Sequence, residues 1–306
     1  MFLFDFCKTS KAVRGDAESD LRLDEPGGAV SSGASIRSMD TPNAETEFRL
    51  DEPGDAVSSG VSIRSMDSGV SIRSMDSTMA NALRDLQRQY DEMAEHMEAV
   101  GKLPDELSIE ERNLLSVAYK NAVGSRRAAW RIITSVEQEE KTQGNEEQAK
   151  FAKEYCSKVE AELQKICDTI LGRLDKNFIP KATNGESIIF FQKMKADYYR
   201  YIAEFSDGDA KGKASENARL AYEEASKDVE KELPVTHPTR LGLALNYSVF
   251  QYEVLSNPDE ACKMARTAFD HAIADVDICH KDSLQIMELL RDNLTLWMSH
   301  QEGAEP

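Results

Sequence analysis

Residues 109–140 read IEERNLLSVAYKNAVGSRRAAWRIITSVEQEE. Apolar residues return every three to four positions, so the stretch forms one long amphipathic helix. Lys120 and Arg127 stand seven residues apart, two helical turns, and so share a side. Arg126 and Arg131 add charge close by. Basic groups gathered on one helix face need a reason in a chain of formal net charge −18. A phosphate or carboxylate ligand supplies one, because guanidinium forks match such oxygens geometrically.

The helical pattern extends on both sides. TMANALRDLQRQYDEMAEHMEAV (78–100) follows Ser77 as an N-cap and stops at Gly101. EEQAKFAKEYCSKVEAELQKICDTILGRLDKNF (146–178) is a third helix, placed before Pro180. Further helices are predicted over 185–206, 212–231, 237–255, 258–277 and 282–299, with SDGDAKG, His-Pro and Asn-Pro marking turns. No segment alternates with a strand period. The expectation is an all-α domain over 77–300, about nine helices with short connections and mostly antiparallel neighbours, then a short flexible tail at 301–306.

Residues 1–76 have different physics. They are rich in Ser, Gly, Asp and Pro, and they repeat: RLDEPGGAVSSGASIRSMD (22–40) recurs as RLDEPGDAVSSGVSIRSMD (49–67), and a partial copy, SGVSIRSMD, ends at Asp76. No copy offers a packable apolar face, so this reads as a disordered low-complexity tail.

Composition narrows the function. With 306 residues, 41% hydrophobic and 30% charged, the chain reads as a soluble helical protein. Its acidity argues against nucleic acid as a partner. No apolar run reaches membrane-span length, and the opening MFLFDFCKTSKAV is too short and too acidic for a secretory leader. The five cysteines form no CxxC pair, which suits a reducing, cytoplasmic setting, with the nucleus as a second compartment. Cys279 and His280 with His271 match no zinc spacing. Glu137, Glu139, Glu140, Glu146 and Glu147 read as a solvated acidic helix end. There is no nucleophile elbow, P-loop or HExxH, so neither an enzyme nor a cofactor is expected.

Four blocks carry a resemblance to one family. They are RNLLSVAYKNAVGSRRAAWR (112–131), KMKADYYRYIAEF (193–205), THPTRLGLALNYSVFQYEVL (236–255) and LLRDNLTLW (289–297). In order and spacing the chain resembles the 14-3-3 family over about 77–300. That resemblance implies a cup-shaped, nine-helix domain that binds phosphoserine or phosphothreonine segments of client proteins, as an adaptor in signalling. It implies that Lys120, Arg127, Arg200 and Tyr201 hold the phosphate, and that Asn246 and Asn293 bond the peptide backbone. Leu245, Val249, Ile286 and Leu289 would form an apolar wall, with Glu253 and Trp297 against the flanking residues. Asn246, Val249 and Glu253 do fall on one helix stripe, as do Ile286, Leu289, Asn293 and Trp297. An extended peptide leaves N–H and C=O groups that Asn amides satisfy.

The resemblance also implies a homodimer, or a heterodimer with a related chain. Leu83 and Tyr155 match interface positions, and Glu92 with Lys158 match one cross-subunit ion pair. Gln89 stands where an Arg usually pairs with the residue equivalent to Glu162, and Gln87 where a small residue is usual. The connection DICHKD (277–282) is about one turn shorter than is common, and Gln285 replaces a common Leu. Ala129 removes a serine that many members carry, and Asn257 lacks the hydroxyl that some members have before Pro. The alternative function is a helical scaffold for unmodified partner segments. The basic cluster with Tyr201 discriminates, since a groove for unmodified helices has no need of it. A further expectation concerns the tail. Residues 37–42, Arg-Ser-Met-Asp-Thr-Pro, match the pattern Arg-Ser-x-phosphoSer-x-Pro with Asp40 in place of the phosphoserine, which makes Asp40 a candidate pseudo-ligand for the groove, the alternative being a duplicated solvated tail with no role there.

Overall fold

The computed structural model describes residues 69–103, 105–275 and 281–302, with side chains in the first helix described from Arg84 onward. The tail repeats through Ser68, Asp40 included, lie outside the described residues, as do Cys279, His280 and most of the DICHKD connection.

Most of the described residues are helical, and no strand occurs among them. Eight long helices are present: α1 (Gly69–Val100), α2 (Ile109–Gln143), α3 (Glu146–Arg173), α5 (Gly185–Phe205), α6 (Gly208–Ser226), α8 (Pro238–Glu253), α9 (Pro258–Ala274) and α10 (Lys281–Glu302). Two short pieces, α4 (Ile179–Lys181) and α7 (Val229–Glu232), join them. This is the expected all-α class.

Local signals explain most boundaries. Ser108 accepts from the Glu111 amide at 3.2 Å and donates its own amide to Glu111 Oε2 at 2.8 Å, so a capping box starts α2. Gly144, at φ 79°, ends it in the left-handed conformation that glycine adopts without penalty. Two residues then separate α2 from α3, which pack together and therefore run antiparallel. Pro180 lacks an N–H, and its ring crowds the carbonyl four residues back. The chain accordingly widens into a π-helical turn at Leu174–Phe178 before α4.

The helix expected over 212–231 is divided, ending at Ser226 before the short α7, and the one expected to reach 277 ends at Ala274. Two helix starts also differ from expectation. The first helix begins at Gly69, so Ser77 is interior, not a cap. A serine inside a helix costs only about 0.5 kcal/mol, too little to stop one without a breaker. The second is SDGDAKG, predicted as a turn: α6 starts at Gly208, within it. Burial of Ala214, Ala218, Ala221 and Tyr222 outweighs the roughly 1 kcal/mol that Gly212 costs in a helix.

Three apolar clusters hold the helices together. The first joins α1 to α5 through Leu115, Leu163, Ile170 and Phe191. Phe178 stacks on Phe191 at 5.5 Å between ring centroids, and a Cβ at Gly101 would lie 2.4 Å from the Phe178 ring. Gly101 is thus required by that close approach as well as by the helix end. The second cluster ties α8, α9 and α10 through Leu241, Leu245, Ile286 and Leu290, and the third ties α5, α6 and α8 through Tyr222 and Phe250. Arg112, buried at the start of α2, staples α2 to α5 by donating to Ser187 Oγ at 2.8 Å and Glu186 at 3.2 Å.

Candidate functional site

Helix α5 carries the centre of the site. Lys193, Asp197, Arg200, Tyr201 and Glu204 recur at i, i+4, i+7, i+8 and i+11, one helical stripe. Packing against α2 and α8 brings Lys120, Arg127 and Asn246 to it. Lys120, Lys193, Asp197, Tyr201 and Asn246 line one pocket of about 40 Å³, room for a water or two.

The two predicted arginines flank one ring. Arg127 Cζ lies 4.1 Å and Arg200 Cζ 4.7 Å from the Tyr201 centroid. They are 6% and 2% exposed. Buried guanidinium groups require compensation, and two carboxylates provide it. Glu204 accepts from Arg127 Nε at 2.7 Å and from Arg131 Nε at 2.5 Å. Asp197 accepts from Lys193 at 2.8 Å and, through both carboxylate oxygens, from Asn246 Nδ2 at 2.9 Å, and lies 3.8 Å from Arg200.

Tyr222 of α6 completes this network from below. Its hydroxyl donates to Asp197 Oδ1 at 2.6 Å and accepts from Arg200 Nε at 3.2 Å. Burial, then the neighbouring Asp197, pushes this phenol well above its usual value, so it remains a donor across the neutral range. The network holds Arg200, Asn246 and Tyr222 in one geometry. A preset array of donors around a small polar pocket can receive a tetrahedral or planar oxyanion without much reordering.

Not every predicted residue joins the cluster. Arg126, expected to add charge beside Arg127, turns away by the helical step of one residue. It forms a fork with Asp91 of α1, both bonds 2.9 Å, and donates to Glu162 of α3 at 2.8 Å. Burial opposes the charge on Arg126, but these carboxylates overcome it and raise its pKa. Leu245, Val249, Ile286 and Trp297 are buried in the α8–α9–α10 core, where Trp297 stacks on Tyr252 at 4.8 Å. Ile286 is fully covered and offers a ligand no surface, and the other three offer only an edge. Leu289 and Asn293 on α10 are half-buried and Glu253 is exposed, so these three present real surface.

The predicted interface residues lie on α1 and α3. Leu83 belongs to α1, its side chain outside the described part. Glu92 is exposed and lies 3.8 Å from Arg88 of the same helix. Lys158 is exposed, and Tyr155 is 52% exposed. Glu162, assigned to a cross-subunit pair, is engaged by Arg126 of its own chain.

Sequence reasoning missed three apolar residues near them: Ile132 and Val136 on α2, and Phe151 on α3, which is 73% exposed. Ile132–Val136 and Phe151–Tyr155 are both i, i+4 pairs, so each helix turns an apolar stripe to solvent. Apolar positions surplus to the core stripe were the available signal. Glu204 and Lys193 were legible as part of the α5 stripe. Tyr222 was not, because nothing local ties it to Asp197.

Among the described residues no helix is long and apolar enough to cross a membrane, and no group of His, Cys, Asp or Glu is arranged to hold a metal ion. Comparison with known proteins now places the chain. The 14-3-3 protein family matches over residues 79–298. A 14-3-3 protein epsilon of Drosophila melanogaster is 54% identical over 227 residues, 73% of this chain and 87% of its own length. The 14-3-3 family protein artA of Aspergillus flavus is 54% identical over 223 residues, 72% of this chain and 94% of its own. The 14-3-3-like protein GF14 omicron of Arabidopsis thaliana is 54% identical over 228 residues, with 73% and 90% covered. The chain belongs to the 14-3-3 family, a non-enzymatic family of protein-binding adaptors.

Proposed function

We propose that this chain regulates client proteins by binding segments that carry phosphoserine or phosphothreonine. The observation that supports this reading is the double clamp of Tyr201 between Arg127 and Arg200, next to the pocket that Lys120 and Asn246 share. Five cationic side chains, Lys120, Arg127, Arg131, Lys193 and Arg200, gather there with the carboxylates of Asp197 and Glu204. The excess of positive charge suits a phosphate of about −2. Lys120, Arg127 and Arg200 are the phosphate ligands in this reading. Tyr201 orients the guanidinium planes. Asn246 and Asn293 bond the peptide backbone, and Leu289 and Glu253 meet its flanks.

The chain acts as a dimer in this proposal, with the exposed stripe of Ile132, Val136, Phe151 and Tyr155 as the face that needs cover. Leu83, Glu92 and Lys158 are further interface residues in this reading. Its setting is cytoplasmic, extending to the nucleus. The helical domain is the client-binding unit, and the N-terminal repeats supply Asp40 as a competing pseudo-ligand.

The test is fluorescence anisotropy with a peptide of Arg-Ser-x-phosphoSer-x-Pro type and its unphosphorylated twin. Only the first binds tightly, and Arg127→Ala or Arg200→Ala each costs about 2–5 kcal/mol of that binding. Equal affinity for the twins rejects the proposal in favour of a scaffold for unmodified segments.

A further inference from the structure

We infer that the cleft between α7, α8 and α9 is a second binding site, for a small amphiphilic anion. The cleft encloses about 300 Å³. At roughly 30 Å³ per water-sized group, that accommodates about ten non-hydrogen atoms. It reaches the lower end of the range for small-molecule sites.

Its walls are apolar: Val235, Leu243, Tyr247 and Met264 line it. Its polar groups are few, and they converge. Arg240 of α8, Lys263 and His271 of α9 line it, against one acid, Glu230 of α7. Arg240 is half-buried, and its guanidinium is fixed by a bond to the Leu233 carbonyl at 2.9 Å. A fixed planar fork is the group that selects a carboxylate or similar anion. Lys263 also pairs with Glu260 at 3.1 Å, but this pair is exposed and screened by water. An apolar floor beneath a cationic rim, in a chain of net charge −18, selects a ligand with an apolar body and a negative head.

The cleft is separate from the phosphate cluster. On α8, Arg240, Leu243, Ala244 and Tyr247 fall at i, i+3, i+4 and i+7, one stripe. Asn246, Val249 and Glu253 lie on the opposite side of the same helix. Phosphopeptide binding therefore plays no part in the test.

Octanoate, with ten non-hydrogen atoms, is the probe, added to the full chain carrying ¹³C-labelled methionine methyl groups. Octylamine and 1-octanol are the controls. The expected result is a saturable shift of the Met264 methyl signal with octanoate, at least fivefold weaker with 1-octanol and absent with octylamine. Arg240→Gln weakens octanoate binding at least fivefold. Ala244→Trp, which fills the cleft, abolishes it, and Thr267→Trp at the exposed rim serves the same end should Ala244→Trp fail to fold. A Met264 signal that octanoate does not shift overturns the site. Octylamine binding as well as octanoate overturns the charge argument, and undiminished binding to a folded cleft-filling variant overturns the location.

Discussion

The variant Tyr222→Phe isolates the network beneath the phosphate cluster. It removes one oxygen and keeps the ring. That ring stacks on Tyr247 at 4.9 Å and packs on Phe250 at 5.4 Å, contacts a phenylalanine preserves. What is lost is the bond to Asp197 at 2.6 Å and the bond from Arg200 at 3.2 Å. Both involve a charged partner in a fully buried setting, so each contributes about 1.5–3 kcal/mol. Asp197 retains Lys193 and Asn246, and this limits the loss. The net cost is therefore about 2–4 kcal/mol of stability, between one such bond and two. For a domain of this size that lowers Tm by roughly 5–15 °C. Arg200 remains but is held less firmly, so phosphopeptide affinity falls by up to about tenfold, less than for Arg200→Ala. Thermal unfolding followed by circular dichroism, with anisotropy on the same preparation, measures both. A Tm shift below about 2 °C together with unchanged affinity would refute the idea that Tyr222 organises the cluster.

Three further outcomes are expected. Phe151→Glu combined with Ile132→Asp converts the dimer to a folded monomer in sedimentation at micromolar concentration, and an unchanged sedimentation coefficient rejects that face as the interface. The bond from Arg173, aided by Lys102, outweighs partial burial and holds Glu98 below its ordinary value of 4.5. Its stabilisation is thus complete above about pH 4.5 and disappears as pH falls through the lowered native value. Glu98→Gln should accordingly lower stability by about 1 kcal/mol at pH 7, with the gap narrowing as pH falls below about 4.5 in a Tm–pH series; a gap that does not narrow on acidification contradicts the assignment. Removing residues 1–68, or Asp40→Lys, raises apparent phosphopeptide affinity several-fold, because a tethered aspartate competes at an effective concentration near millimolar. Equal affinity before and after both changes leaves Asp40 without a role in the groove.

The fold was legible because helical periodicity is local. The apolar spacing in 109–140, the Asn-Pro and His-Pro turns, and Gly101 each act within a few residues of themselves. Errors fell where a local signal was weak and packing decided. Ser77 could have capped a helix, yet nothing breaks the chain between it and Gly69. Gly208 and Gly212 read as a turn, yet Tyr222 and the alanines of α6 draw that stretch into a helix.

The chemistry of the site divides in the same way. By itself the sequence determined which charges share a face: Lys120 with Arg127, and Lys193, Asp197, Arg200, Tyr201 and Glu204 along α5. Only the tertiary structure decided what those charges meet. Glu204 lies 77 residues from Arg127 and binds it, whereas Arg126, its immediate neighbour, is drawn off to Asp91 and Glu162. The buried phenol of Tyr222 joins Arg200 to Asp197 from another helix. Periodicity assigns a side chain to a direction around its own axis. The partner it finds there depends on which helix packs against that direction, and packing is settled by the buried surfaces of the whole domain.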